Sequence, residues 1–221
     1  MVFLPFEDHY ETSGEDTPNG HDGNSMLYPF AILCICMMIA GVIYRGNTVI
    51  LPTYFELKNK YLLSMLDKLN FPFLTSNVVA TTTTAIVFLF GMLGQLVGGI
   101  FAERHDPKHG YLLFHFILIF IAILMAHITN ISLVIAAISY FFFLLGIQPM
   151  ENTLVARFTP EKMRHKGYGA KFILTFGVGS FAVYIVKYIK EFFPLHYVFY
   201  FFFYMFIFFS TINLVSDKAH K

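Results

Sequence analysis

Apolar residues in this chain run in long unbroken blocks, and the polar residues gather in short stretches between them. Crossing the hydrocarbon of a bilayer takes about 20 mostly apolar residues in a helix. Six blocks meet that length, from about Leu27 to Leu51, Val78 to Ala102, Tyr111 to Ile128, Ile131 to Phe158, Tyr168 to Ile189 and His196 to Val215. Runs such as Leu195–Thr211 are continuous. A membrane β-strand would instead alternate apolar and polar positions, so a barrel is excluded. Backbone groups in lipid must bond within their own segment, and spans this long are therefore helices. The expected fold class is an all-α membrane protein with six transmembrane helices.

Composition supports the pattern. Of 221 residues, 57% are hydrophobic and 13% charged, with a mean hydropathy of +0.63 and 28 phenylalanines. Soluble domains carry roughly 25% charged residues, and a water-soluble core of this size could not hide so many aromatic rings. The net charge of +1 speaks against a nucleic-acid partner, which calls for a basic face. Cys34 and Cys36, the only cysteines, sit two apart in one block, point to different sides of a helix and read as apolar fillers.

The polar stretches set the organisation. Residues 1–25 are acidic and rich in turn formers, with no Lys or Arg before Arg45. A signal peptide would open with positive charge, so this segment is expected to be a flexible cytoplasmic tail. Residues 26–217 are expected to form the six-helix transmembrane domain. Arg104–Lys108 and Lys162–Lys166 make two short basic loops on one side, joined there by Arg157, Lys171, Lys218 and Lys221. Lys58, Lys60, Lys68, Lys187 and Lys190 lie on the other side. The positive-inside rule then puts both termini in the cytoplasm. Between the first two spans, residues 56–70 place Leu57, Tyr61, Leu62, Met65, Leu66 and Leu69 on one face and Glu56, Lys58, Lys60, Ser64, Asp67 and Lys68 on the other. This predicts an amphipathic helix at the outer membrane surface.

Two polar connections carry more than topology. After the second block the chain reads Gly99-Ile-Phe-Ala-Glu-Arg-His-Asp-Pro-Lys108. This resembles the loop signature of the major facilitator superfamily, G-x-x-x-D-[RK]-x-G-x-[RK], with Gly99, Glu103, Arg104 and Lys108 in frame. Glu103 stands for the commoner Asp, and Asp106 takes the place of the turn glycine. After the fourth block, Thr159-Pro-Glu-Lys-Met-Arg-His-Lys-Gly-Tyr-Gly169 resembles the superfamily's P-E-x-x-R-G-x-x-x-G connection through Pro160, Glu161, Arg164, Gly167 and Gly169. The opening block, with Tyr44-Arg-Gly-Asn47 and Leu51-Pro52, looks like the first helix of the superfamily's C-terminal half, a helix that often breaks near its outer end. The resemblance covers about Tyr28 to Val215. It implies a half-bundle of two inverted three-helix repeats and secondary transport of a small solute by alternating access, with a faint likeness to bacterial drug-efflux members and hence to the bacterial inner membrane. It also implies a second six-helix half as partner, as a separate chain, a missing N-terminal portion or a second copy, and possible coupling to a proton.

Charge inside a span is costly and calls for a reason. Arg45 and Asn47 fall on a helix that, by the resemblance, lines the cavity, as do Gln148, Glu151 and Asn152 around Pro149. Arg45 could hold an anionic solute or reach outward to the headgroups. Glu151 could bind solute or carry a proton, or it could pair with Arg104 or Arg157 in a network that latches the cytoplasmic gate. By resemblance Gly99, Glu103, Arg104, Lys108, Arg157, Pro160, Glu161, Arg164 and Gly167 form that gate. Lys171 and Lys187 read as anchors that reach the surface. Gly94 and Gly98 form a GxxxG for close helix packing, and Gly177, Gly179 and Ser180 are expected to serve the same purpose. Gln95 is expected to bond another helix, and the Thr81–Thr84 hydroxyls to bond their own. No histidine set has the spacing of a metal site, no P-loop is present, and no nucleophile and base stand out. Neither a cofactor nor an enzymatic activity is expected. The rival reading is a non-transporting membrane scaffold or subunit derived from a transporter half.

Overall fold

The computed structural model describes residues 23–61, 64, 75–159, 164–205 and 207. These form helices and short turns, with no strand among the described residues. The helices are α1 (Gly23–Lys58), α2 (Ser76–Arg104), α3 (Pro107–His127), α4 (Asn130–Phe158), α5 (Arg164–Phe172) and α6 (Ala182–Phe192), followed by α7, residues 197–205. A π-helical stretch, Ile173–Val178, stands between α5 and α6. Together these three pieces make a single span, Arg164–Phe192. Five spans among the described residues are long and apolar enough to cross a membrane. They coincide with the first five hydrophobic blocks. The sixth block starts as α7, and its end lies outside the described residues.

Three boundaries differ from expectation. The first turn of α1 takes in Gly23–Ser25, the end of the expected tail. Residues 1–22 lie outside the described residues. The expected break near Pro52 does not occur, since α1 runs on to Lys58. Pro52 loses only the bond to the Thr48 carbonyl, and burial of Leu51, Tyr54 and Phe55 around it holds the helix straight through. Glu56, Leu57 and Lys58 are thus the last turn of a span. Most of the remaining surface helix expected up to residue 70 lies outside the described residues.

Packing follows the small residues. Along α2 the positions Ala80, Thr84, Val87, Gly91, Gly94 and Gly98 are buried, a spacing of alternately four and three that keeps one stripe on a neighbour. Toward the end of the stripe the side chains vanish, and α4 closes in until backbone meets backbone. A methyl on Gly94 would collide with the Phe142 carbonyl, and one on Gly98 with the Gly146 carbonyl. The opposite face of α2 carries Leu89, Phe90, Leu93, Leu96 and Val97, all exposed, as suits a surface turned to lipid. A second close approach joins α1 to the fifth span. There Gly41 faces the Thr175 backbone, and Gly179 faces the Gly41 carbonyl. Gly177 does not share this role, because a side chain there would meet open space.

The turns are locally specified. Asp106 caps α3, its carboxylate accepting the Lys108 N–H at 3.3 Å, with Pro107 in the first turn. Proline suits that position because its missing N–H would have had no helical partner. Between α3 and α4, Asn130 has φ of 58°, a left-handed conformation that asparagine tolerates better than most residues.

Candidate functional site

Polar groups inside the bundle gather on α4. Pro149 deprives the Leu145 carbonyl of its usual helical donor, and around this point the helix presents Gln148, Glu151 and Asn152 to three neighbours. Gln95 of α2 donates to Gln148 Oε1 at 2.7 Å, as its position among Leu, Val and Gly suggested. Glu151 is buried, 4% exposed, and faces Lys171 of α5, which is 6% exposed. Their charged atoms lie 3.2 Å apart. Lys171 also donates to Asn152 Oδ1 at 2.6 Å, and the Tyr111 hydroxyl of α3 donates to Glu151 Oε1 at 3.2 Å. Two charges in so dry a place hold together only because each has further hydrogen bonds.

This overturns two expectations. Lys171 is not a surface anchor, and Glu151 does not pair with Arg104 or Arg157. Lys171 lies four residues after Gly167 and eight before Gly179, both also buried, while the exposed Phe172 and Ile173 occupy the lipid side. A lysine on the small-residue face points inward, and that spacing was the signal available in the sequence. Lys187, by contrast, is exposed.

A cavity of about 40 Å³ adjoins the pair, lined by Tyr44, His115, Gln148, Glu151, Thr175 and Phe176 among others. It has room for a few waters but not for a solute. A wider hollow on the outside of α2, lined by Leu89, Phe90, Met92, Leu93, Gln95 and Leu96, is bounded by one helix and nearly all apolar, so it is outer surface.

The other candidate residues fall in separate places. Asn47 is fully buried and donates to the Ile43 carbonyl at 2.8 Å and the Tyr140 hydroxyl at 3.0 Å. It fastens α1 to α4. Arg45 is exposed, with no partner among the described residues. At the opposite end, Arg157 pairs with Asp106 at 3.1 Å, tying the end of α4 to the loop before α3. Asp106 is the residue that stands where the loop signature has its turn glycine. Burial alone would raise its carboxyl, but the Lys108 N–H, the His109 ring and the Arg157 charge outweigh that and hold it below the usual carboxylate range. Glu103 and Arg104 are exposed, as are the Lys166 and Arg164 side chains at the start of α5. Lys108 is partly buried. Gly99 is uncrowded, because a methyl added there would come only within 4.0 Å of the Pro149 side chain. Gly167 is needed where it stands, because a side chain would press on Thr159 at 2.7 Å. Pro160 and Glu161 lie outside the described residues.

A scan against family models matches residues 33–220 to the Major Facilitator Superfamily. The chain belongs to that superfamily. No curated protein matches it. Superfamily membership makes this an integral membrane protein of a solute-transport family, and the five apolar spans are the structural counterpart of that assignment. Nothing in the match names a solute. The loop signatures read from the sequence fall between α2 and α3 and between α4 and α5, and the Asp106–Arg157 pair ties the first of these connections to the end of α4.

Proposed function

We propose that the chain is the C-terminal six-helix half of a secondary transporter that moves a small solute by alternating access. The observation that carries this reading is the buried Lys171–Glu151 pair beside a small polar cavity, on a proline-interrupted helix of a major facilitator protein. A membrane scaffold has no use for a charge pair it must desolvate, whereas a transporter needs groups whose partners change between states. Glu151 is the one buried carboxylate among the described residues and is the group offered for a coupling proton. Arg45, exposed on α1, is available to an anionic solute or to the outer headgroups. Glu103 and Arg104, exposed in the last turn of α2, are offered as contacts to a second half.

The partner of this reading is a second six-helix bundle. Only 22% of the apolar window of α2 and 17% of that of Arg164–Phe192 are buried, against 56% for α1 and 50% for α4. Those two spans leave most of their surface to lipid or to a second bundle. The proposed setting is a bacterial inner membrane with both termini cytoplasmic.

The test uses proteoliposomes loaded with the pH dye pyranine and holding the chain with its complementary half. A panel of sugars, amino acids, nucleosides and the lipophilic cation ethidium is added. At least one solute should move protons with the intact pair and none with Glu151→Gln. Proton movement equal to that of empty vesicles for every solute would return the chain to the scaffold reading.

A further inference from the structure

The fifth span contains the one π-helical turn among the described residues, and it begins two residues after the lysine of the buried pair. A π turn holds an extra residue, is rare, and occurs mostly as a single turn within an α-helix. Its immediate cause is visible in the burial pattern. Gly167, Lys171 and Gly179 are buried, and Thr175 between them is half-buried. These positions are all four apart. In an α-helix each such step advances about 40° beyond a full turn, so a face with this spacing would wind away from the bundle. The wider π turn takes up that drift. It keeps Lys171 on Glu151 while Thr175 and Gly179 press against Gly41.

Holding this register has a cost that the structure also shows. In the regular helices Thr48, Thr83, Thr84 and Thr153 each donate to the carbonyl four residues back. The Thr175 hydroxyl sits in the π turn, buried, without a protein hydrogen-bond partner. In an α register it would reach the Lys171 carbonyl in the same way as the others. The π register thus satisfies the charge pair and leaves a hydroxyl without a protein partner, whereas an α register would give the hydroxyl its acceptor and turn the lysine from Glu151. Space for the change exists on both sides. Gly169 and Gly177 adjoin open space, and the cavity beside Thr175 and Phe176 has room for a few waters.

We infer that the Ile173–Val178 turn is a register switch: loss of the Lys171–Glu151 pair lets it relax to α-helix, turning α5 about its axis and withdrawing the lysine from the bundle. One residue of register is about 100° of rotation. On a Cα radius of about 2.3 Å this displaces the lysine backbone by about 3.5 Å, and the side chain by more, which is enough to break a contact of 3.2 Å. The groups facing Glu151 are Lys171 from α5, Tyr111 and His115 from α3 and Tyr44 from α1, and of these only Lys171 is carried by the turn. As a gate the switch rests on the transport reading. As a register change it does not.

The test reads rotation directly. Single nitroxide labels go at Gly169, Ala170 and Phe172 of the full chain in proteoliposomes, with Cys34 and Cys36 replaced by Ser, and their accessibility to oxygen dissolved in the lipid is measured. With the pair intact, Gly169 and Phe172 labels should be more lipid-exposed than the Ala170 label. In Glu151→Gln the pattern should turn by about 100°, and adding Thr175→Val should reduce that turn. An unchanged pattern in a folded Glu151→Gln chain overturns the switch, even if solute flux is lost. A turned pattern in Glu151→Gln, found alongside an unaltered chain that moves no solute with its complementary half, supports the switch and defeats the transport reading instead. Should Glu151→Gln fail to fold, Thr175→Val alone decides. Removing a stranded hydroxyl should raise the melting temperature, and a fall would show that the hydroxyl is satisfied and the two-register argument wrong.

Discussion

Replacing Lys171 by Met removes the positive half of a buried pair and leaves the rest of the bundle in place. The two charged atoms are 3.2 Å apart with side chains 7% and 5% exposed, so solvent screens them little. Coulomb's law at an effective dielectric of about 20 puts their attraction at about 5 kcal/mol. Desolvation consumes much of that, so the pair's net worth is small while the cost of breaking it is large. Stripping the lysine leaves a buried carboxylate with the Tyr111 hydroxyl as its donor and no opposite charge, and such losses run to about 3–5 kcal/mol. Lys171→Met should therefore lose about that much stability, and Glu151→Gln somewhat less, because Asn152 still accepts from the lysine. The double variant should recover most of the loss, since it buries no unpaired charge. Unfolding of the purified chain in mixed detergent micelles, followed by circular dichroism, measures all four corners of the cycle. A coupling of about 2 kcal/mol or more is expected. If the two single losses simply add, within about 0.5 kcal/mol, the pair does not interact and the site as described is wrong.

Three further outcomes follow from particular contacts. Gly94→Val should cost more than about 3 kcal/mol or prevent folding, because the obstructing Phe142 carbonyl belongs to the backbone, whereas Gly99→Ala and Gly177→Ala should be neutral or add up to about 1 kcal/mol through helix propensity; thermal unfolding of the three separates a packed glycine from an open one. Tyr140→Phe leaves the Asn47 amide with one of its two acceptors and should cost about 1 kcal/mol, with no loss at all showing that the α1–α4 link is idle. The Asp106 carboxyl is held below its ordinary value when folded, so its contribution is present above the ordinary carboxylate range and is lost as pH falls through the folded value. Exposure keeps that contribution below about 1 kcal/mol, and a melting temperature that falls equally on acidification in Asp106→Asn would remove Asp106 from the account.

Much of this protein was legible in its sequence. The first five spans lie where the hydrophobic blocks put them, because partition into a bilayer depends on local composition alone. Gly94 and Gly98 announced a close contact, Gln95 announced a polar partner, and the two loop signatures announced the superfamily. The sequence could not say which way a given side chain turns, because that depends on a neighbour far along the chain. Lys171 sits near a helix end, where a lysine can usually reach water, yet it points inward because Glu151, 20 residues earlier, waits across a face of small residues. Asp106 looked like a defect in a loop motif and proves to be the cap of α3 and the partner of Arg157. Asn47 looked like a cavity residue and is a bolt between α1 and α4. The π turn left no mark in composition, since it arises from two demands on one helix, Lys171 toward Glu151 and Thr175 against Gly41. Local chemistry thus decided what crosses the membrane, and only the packing of five spans against one another decided which charges meet inside it.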